Sequence, residues 1–106
     1  MIKAYYKPLF LSLYGHAGYA PSGQDIVCAG VSTLYGTLLR VLGDLDYSDR
    51  CLHVYDDGCE RIISFTPDST EHGVTVSHVF DTIWAGILLL AETYPDYIVA
   101  EKRDSK

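Results

Sequence analysis

Two side chains that could act together as a nucleophile and a base lie close in the chain, Cys28 and His16. Asp25 is an effective helix-capping residue, and apolar residues recur at helical spacing after it. A helix that begins after Asp25 places Cys28 in the first turn, where amides lack helical partners and the helix dipole stabilises a thiolate. Neutral His16 could take the proton of that thiol. The spacing therefore indicates nucleophilic thiol chemistry, with first-turn amides as donors to an oxyanion.

Two further polar residues are candidates for supporting roles. Asp25 could cap the helix or orient His16. It could do both only if one carboxylate oxygen caps the helix while the other contacts the imidazole. Ser32 lies one turn after Cys28 on the same helix face. It could line a substrate groove beside the thiol, or bond back to its own helix. A helix start at Ser22 is the alternative, and it would bury Cys28 deeper in the helix.

The segment from Ala17 to Gln24 contains glycine and proline and is predicted to be a loop. It joins a strand that ends near His16 to the helix that carries Cys28. We expect this loop to act as a lid or as one wall of a substrate groove. The residues expected to shape the groove are small: Gly15, Ala17, Gly18 and Gly23.

Hydrophobic periodicity predicts seven elements in the order ββαββαβ. The expected strands are Ile2–Tyr6, Leu9–Tyr14, Cys51–Tyr55, Cys59–Phe65 and Tyr97–Glu101, and the expected helices are Ile26–Leu42 and Val76–Thr93. Gly43 is a predicted helix stop, and Asp56-Asp57-Gly58 a predicted hairpin turn. Alternation in the second strand should bring His16 out on its less apolar face. The order favours an α/β (α+β) fold, with two helices on a mainly antiparallel five-stranded sheet.

The composition limits the class of protein. A chain of 106 residues with 48% hydrophobic residues is expected to form one domain, residues 1–106. The net charge of −6 argues against a direct nucleic-acid partner. Three cysteines without paired spacing fit a reducing cytoplasm. The apolar run Ile83–Ala91 is about half of a membrane span, so we expect a core helix and no membrane partner.

Two other interpretations compete with thiol catalysis. Cys28 could be a buried small hydrophobe in a non-catalytic peptide-binding module. Alternatively, Cys51, His53 and Cys59 could hold zinc across a hairpin in an interaction domain. No CxxC pair accompanies them, so we expect no metal and no other cofactor.

The residues around the two candidates also resemble a known signature. The matching positions are Gly15-His16-Ala17, Gly23, Asp25-Ile26-Val27-Cys28-Ala29 and Val31-Ser32. They resemble the signature of Prp, a family of ribosomal-processing cysteine proteases. The resemblance implies a catalytic dyad of His16 and Cys28, and a homodimer. It implies as substrate the N-terminal extension of a bacterial large-subunit ribosomal protein, cut beside a pair of aromatic residues. Departures at Gly30 and Ala20-Pro21 touch neither dyad position.

Overall fold

Five strands and two helices follow one another in the predicted order in the computed structural model, which describes residues 1–21 and 24–103. The strands are β1 (Ile2–Lys7), β2 (Phe10–Tyr14), β3 (Leu52–Asp56), β4 (Glu60–Phe65) and β5 (Ile98–Lys102). The helices are α1 (Ile26–Leu45) and α2 (Thr70–Thr93). The predicted fold class is confirmed.

The five strands form one open sheet in the order β3-β4-β2-β1-β5. Every neighbouring pair is antiparallel except β1 with β5, which is parallel. Alternate residues of β1, β2 and β4 are buried on one face, and that face shares a single core with both helices. Strand β2 therefore lies at the centre of the sheet, and the loop after it leads directly to α1.

The two helices pack tightly against each other at two glycines. A Cβ atom at Gly30 of α1 would lie 3.2 Å from the Leu90 side chain of α2. A Cβ atom at Gly86 of α2 would lie 2.7 Å from the Leu34 side chain of α1. Gly30 thus serves the close packing of the two helices.

Both helices are longer than predicted. The prediction that Gly43 ends α1 is wrong, because the helix continues to Leu45 and Asp46 caps it in a left-handed conformation, with φ of 52°. The predicted start of α2 at Val76 is also wrong. Ser69 caps α2 by accepting a hydrogen bond from the His72 amide, so the helix begins six residues earlier than expected, at Thr70.

The strand bounds differ from the predictions by one residue at several ends. Leu9 was expected to open β2, but it has a φ of 60° and lies in the turn before Phe10. Its carbonyl still accepts a hydrogen bond from the Phe65 amide at 2.9 Å. The turn at Asp56-Asp57-Gly58 is confirmed, since Gly58 has a φ of 87° and its amide donates to the Asp56 carboxylate.

By length and composition alone, α1 and α2 are each apolar enough to cross a membrane. The apolar part of α2 is thus longer than the run at Ile83–Ala91 suggested. In the fold, both helices contribute a row of buried side chains to the core they share with the sheet.

Candidate active site

The end of β2 fixes the backbone next to His16. Gly15 has a φ of 92°, which side-chain-bearing residues rarely adopt. A Cβ atom there would also lie 2.7 Å from the Met1 carbonyl oxygen. The Gly15 amide donates to the Cys59 carbonyl at 2.9 Å, which extends the pairing with the next strand. The chain turns at Gly15, so the alternation of side chains along β2 does not extend to His16. The His16 side chain is exposed, as expected, but strand alternation is the wrong reason for it.

Asp25 builds the start of α1 and fastens the loop to it. One carboxylate oxygen accepts from the amides of Val27 and Cys28, at 3.0 and 2.9 Å. The other accepts from the Tyr19 amide at 3.0 Å. These hydrogen bonds, first that from the Cys28 amide, lower the pKa of Asp25 below its ordinary value. Asp25 is therefore the helix cap, as predicted, and Cys28 is the third helical residue.

The cap changes the expectation for the oxyanion donors. The amides of Val27 and Cys28 already donate to Asp25, so they are not free to bind an oxyanion in this conformation. Another amide points to the nucleophile instead, since Ala17 donates to the Cys28 sulfur at 3.3 Å. Ala17 is itself buried and serves the site through its backbone.

One cavity of about 490 Å³ brings together most of the predicted site residues. Its lining includes His16, Gly18, Asp25, Cys28 and Ser32. Of the other predicted groove residues, Gly15 and Ala17 are not part of the lining, and Gly23 lies outside the described residues. Cys28 is partly exposed here, unlike the buried Cys51, so the interpretation of Cys28 as a buried hydrophobe loses its basis.

The loop wall is attached to the rest of the site at Ala17 and at Tyr19. Besides the Tyr19 amide contact with Asp25, the Tyr19 ring meets Tyr94 and Tyr97 edge-on, with centroids 5.7 and 5.1 Å apart. These contacts lie at the start of the loop. The role of the segment as a lid stays a prediction.

The imidazole of His16 lies beside a thiol other than Cys28, a contact that the sequence did not predict. Its Nε2 atom lies 3.9 Å from the sulfur of Cys59, the residue just before β4. Among the described residues, no hydrogen bond joins the imidazole to Cys28, although both side chains line the cavity. Hydrogen bonds between catalytic groups are often long or poorly aligned before substrate binds. We expect the exposed imidazole to turn toward Cys28 when a peptide binds.

The proposed zinc ligands do not converge. Cys51 is buried in the core, His53 is exposed on β3, and Cys59 lies beside His16. Across residues 1–21 and 24–103, no group of three His, Cys, Asp or Glu side chains is placed to hold a metal ion.

We expect iodoacetamide near neutral pH to alkylate Cys28 faster than Cys59, and Cys59 faster than Cys51. Cys28 has the Ala17 amide and the helix start to stabilise its thiolate, Cys59 has exposure and the imidazole, and Cys51 is buried. Peptide mapping after short exposures gives the three rates. Fastest labelling at Cys59 would contradict the assignment of Cys28 as the activated thiol, and the urea-unfolded protein provides the control for intrinsic rates.

Comparisons with known proteins agree with this site. The family model for the cysteine protease Prp matches residues 3–99. The solved structure of SMU.848 from Streptococcus mutans is 31% identical, with a TM-score of 0.76, and the match covers 99% of this chain and 96% of that chain. A comparison with curated proteins gives no match.

Two structures of the essential ribosomal processing protease Prp from S. aureus share the fold. One contains a covalently linked product peptide and is 23% identical, with a TM-score of 0.79. The other contains a substrate peptide and is 20% identical, with a TM-score of 0.77. Each match covers 97% of this chain and 100% of that chain. Since the family match spans nearly the whole chain, the protein is a cysteine protease that belongs to the Prp family.

Proposed function

We propose that this protease removes the N-terminal extension of a bacterial large-subunit ribosomal protein, with Cys28 as nucleophile and His16 as general base and acid. Family membership and the ribosomal processing activity named for the S. aureus structures support this substrate. The observation that carries the assignment of residues is the shared cavity, in which a partly exposed thiol at a helix start faces the same space as an exposed imidazole.

The chemistry proceeds in two halves. His16 takes the thiol proton of Cys28, and the sulfur attacks the scissile carbonyl carbon to form a tetrahedral intermediate. The imidazolium then gives that proton to the leaving amine, the C–N bond breaks, and an acyl-enzyme thioester remains. In the second half, His16 takes a proton from water, and the hydroxide attacks the thioester. The second tetrahedral intermediate collapses as its C–S bond breaks, and the imidazolium returns its proton to the Cys28 sulfur. The new carboxylic acid leaves and ionises in solution.

Incubation with a purified ribosomal-protein precursor tests the function directly. Mass spectrometry should find a single cut beside the aromatic pair of the extension, while the Cys28→Ala protein leaves the precursor whole. A mature ribosomal protein without the extension is the substrate control. Intact precursor after long incubation with the folded wild-type enzyme would rule out this substrate.

We also propose that the enzyme works as a homodimer in the cytoplasm. Exposed apolar side chains on α2, namely Val74, Leu88 and Leu89, support a self-association surface. Three free cysteines are consistent with a reducing compartment. Sedimentation equilibrium decides the oligomeric state, and a monomer at micromolar concentration would contradict the dimer.

Added salt should lower the second-order rate of precursor cleavage. The enzyme has a net charge of −6, and a basic ribosomal protein would be attracted over a range that salt shortens to about 10 Å at 0.1 M. A short neutral peptide with the same aromatic cut should be much less sensitive. Measurement of kcat/KM for both substrates across a salt series compares them, and parallel curves would contradict electrostatic steering.

A further inference from the structure

One charged residue occupies a core-facing position at the cavity end of β4. Arg61 pairs with Leu13 of β2 and precedes Ile63 and Phe65 on the same face of the sheet. Leu13, Ile63 and Phe65 are all buried. The Arg61 side chain is partly buried, and its Nε atom is buried without a hydrogen-bond partner among the described residues. A cation in such a place is costly unless polar groups compensate it.

The guanidinium is held by two residues of α1. Its Nη1 atom donates to the Ser32 hydroxyl oxygen at 3.2 Å. Its Cζ atom lies 5.1 Å from the centroid of the Tyr35 ring, a cation–π distance. Asp56 stands opposite Arg61 in the β3–β4 register, but no ion pair of the described residues includes Arg61. The cation is thus oriented toward Ser32 and keeps donor capacity.

This contact determines how Ser32 can serve a ligand. Its oxygen is the acceptor for Arg61, so the hydroxyl proton remains available for donation. A bond from a cation polarises the hydroxyl and makes it a stronger donor. Thr33 and Thr37 illustrate the ordinary alternative, because their hydroxyls donate back to carbonyls of their own helix.

Ser32 is at a useful distance from the nucleophile. It lines the cavity with Cys28 and follows it by one helical turn, a rise of about 5.4 Å. An extended peptide advances about 3.3 Å per residue. A peptide laid along this helix face would therefore place a main-chain carbonyl opposite Ser32 within about two residues of the scissile bond.

We propose that Ser32 and Arg61 form a polar subsite that binds a main-chain carbonyl oxygen of the substrate near the scissile bond. Ser32 donates to that carbonyl, and Arg61 is a positioning residue that orients and polarises the hydroxyl. The proposal rests on the proposed function in one respect, that an extended peptide is cleaved at Cys28. Ser32 lines the cavity, and Arg61 of β4 contacts it without being part of the lining.

The first test uses enzyme variants with a fluorogenic peptide that carries the aromatic pair. Arg61→Met keeps the apolar stem but cannot donate, and it should raise KM about tenfold with less change in kcat. Arg61→Lys should restore most of the loss. Arg40→Met is the matched control, since it removes an exposed guanidinium of α1 that does not line the cavity and should change KM little. Combined with Ser32→Ala, Arg61→Met should add no further loss.

The second test changes the substrate, so that the expected loss of binding appears in the wild-type enzyme itself. Each carbonyl within two residues of the cut is replaced in turn by a thiocarbonyl, which is a weaker acceptor. At one position, the thiocarbonyl should weaken binding of the peptide by the wild-type enzyme and have little effect on its binding by Ser32→Ala. Equal sensitivity of both enzymes at every position, or an unchanged KM in Arg61→Met, would overturn the proposal.

A binding measurement separates this proposal from the proposed function. Fluorescence anisotropy of the same peptide with the Cys28→Ala protein requires no turnover. Weaker binding by Cys28→Ala/Arg61→Met than by Cys28→Ala supports the subsite even if the ribosomal precursor is not cleaved. Equal binding by the two proteins would overturn the subsite even if the precursor is cleaved.

Discussion

Cys28→Ala and His16→Ala are each expected to reduce precursor cleavage by at least about 1,000-fold while the protein stays folded. Cys28 supplies the bond to the substrate carbonyl, and no other thiol lines the cavity. His16 supplies the proton transfers in both halves of the reaction. Because the two residues act as a unit, the double variant should be little worse than either single variant. Initial rates with circular dichroism on each protein provide the measurement.

Cys59→Ser and Cys51→Ser are the matched controls for the loss of a thiol. Cys59 touches the His16 imidazole but lies outside the cavity lining, and Cys51 is buried. Both variants should keep most of the activity if they remain folded. Near-normal turnover by His16→Ala would eliminate that residue as the base. Activity of Cys28→Ala that disappears in Cys28→Ala/Cys59→Ser would assign the nucleophile to Cys59.

Asp25→Ala is expected to lower kcat/KM by about 100-fold and to lower the melting temperature, although Asp25 takes no part in the proposed chemistry. The substitution removes the acceptor for three amides, those of Tyr19, Val27 and Cys28. It therefore loosens the loop and the helix start together, and small displacements of reacting groups are costly to rate. Steady-state kinetics and thermal unfolding measure both effects.

Asp25→Asn separates the effect of helix capping from the effect of the hydrogen bond between Asp25 and the loop. The Asn side-chain oxygen can still cap α1, but its amide group cannot accept from Tyr19. The pKa of Asp25 is lowered in the fold, so its stabilising contribution is present at neutral pH and is lost as the pH falls through that pKa. The stability difference between wild type and Asp25→Asn should accordingly shrink in acid. Full activity in Asp25→Ala would contradict a positioning role.

The local features of the site were predictable from sequence because neighbouring residues determine them. Asp25 as cap and Cys28 at the third helical position follow from capping preference and hydrophobic spacing, and the structure has both. The hairpin at Gly58 follows from turn chemistry in the same way. The start of α2 was missed because Gly73 in its first turns suggests a loop, whereas Ser69 supplies a cap that compensates for it.

The contacts that Cys59 and Arg61 make with site residues could not be predicted from local spacing. Cys59 and Arg61 reach the site only because β4 pairs with β2 in a register that sets Glu60 beside Tyr14. That register depends on pairing across a separation of more than forty residues. The sequence contains one indication that Arg61 is unusual. It is a charged residue that shares a strand face with two core positions, Ile63 and Phe65. Read alone, such a charge at a strand end is ordinary.

The tight seam between α1 and α2 has a consequence for how the enzyme can change. Leu90 of α2 packs against Gly30 and Leu34 of α1 packs against Gly86, so the helix that carries the nucleophile is anchored by its contact with α2. The loop on the other side of the cavity is joined to α1 by hydrogen bonds, at Cys28 and at Asp25, rather than by such interlocking. Substitutions in this loop can therefore change which peptide sequences the protease accepts, while the position of Cys28 on α1 stays the same.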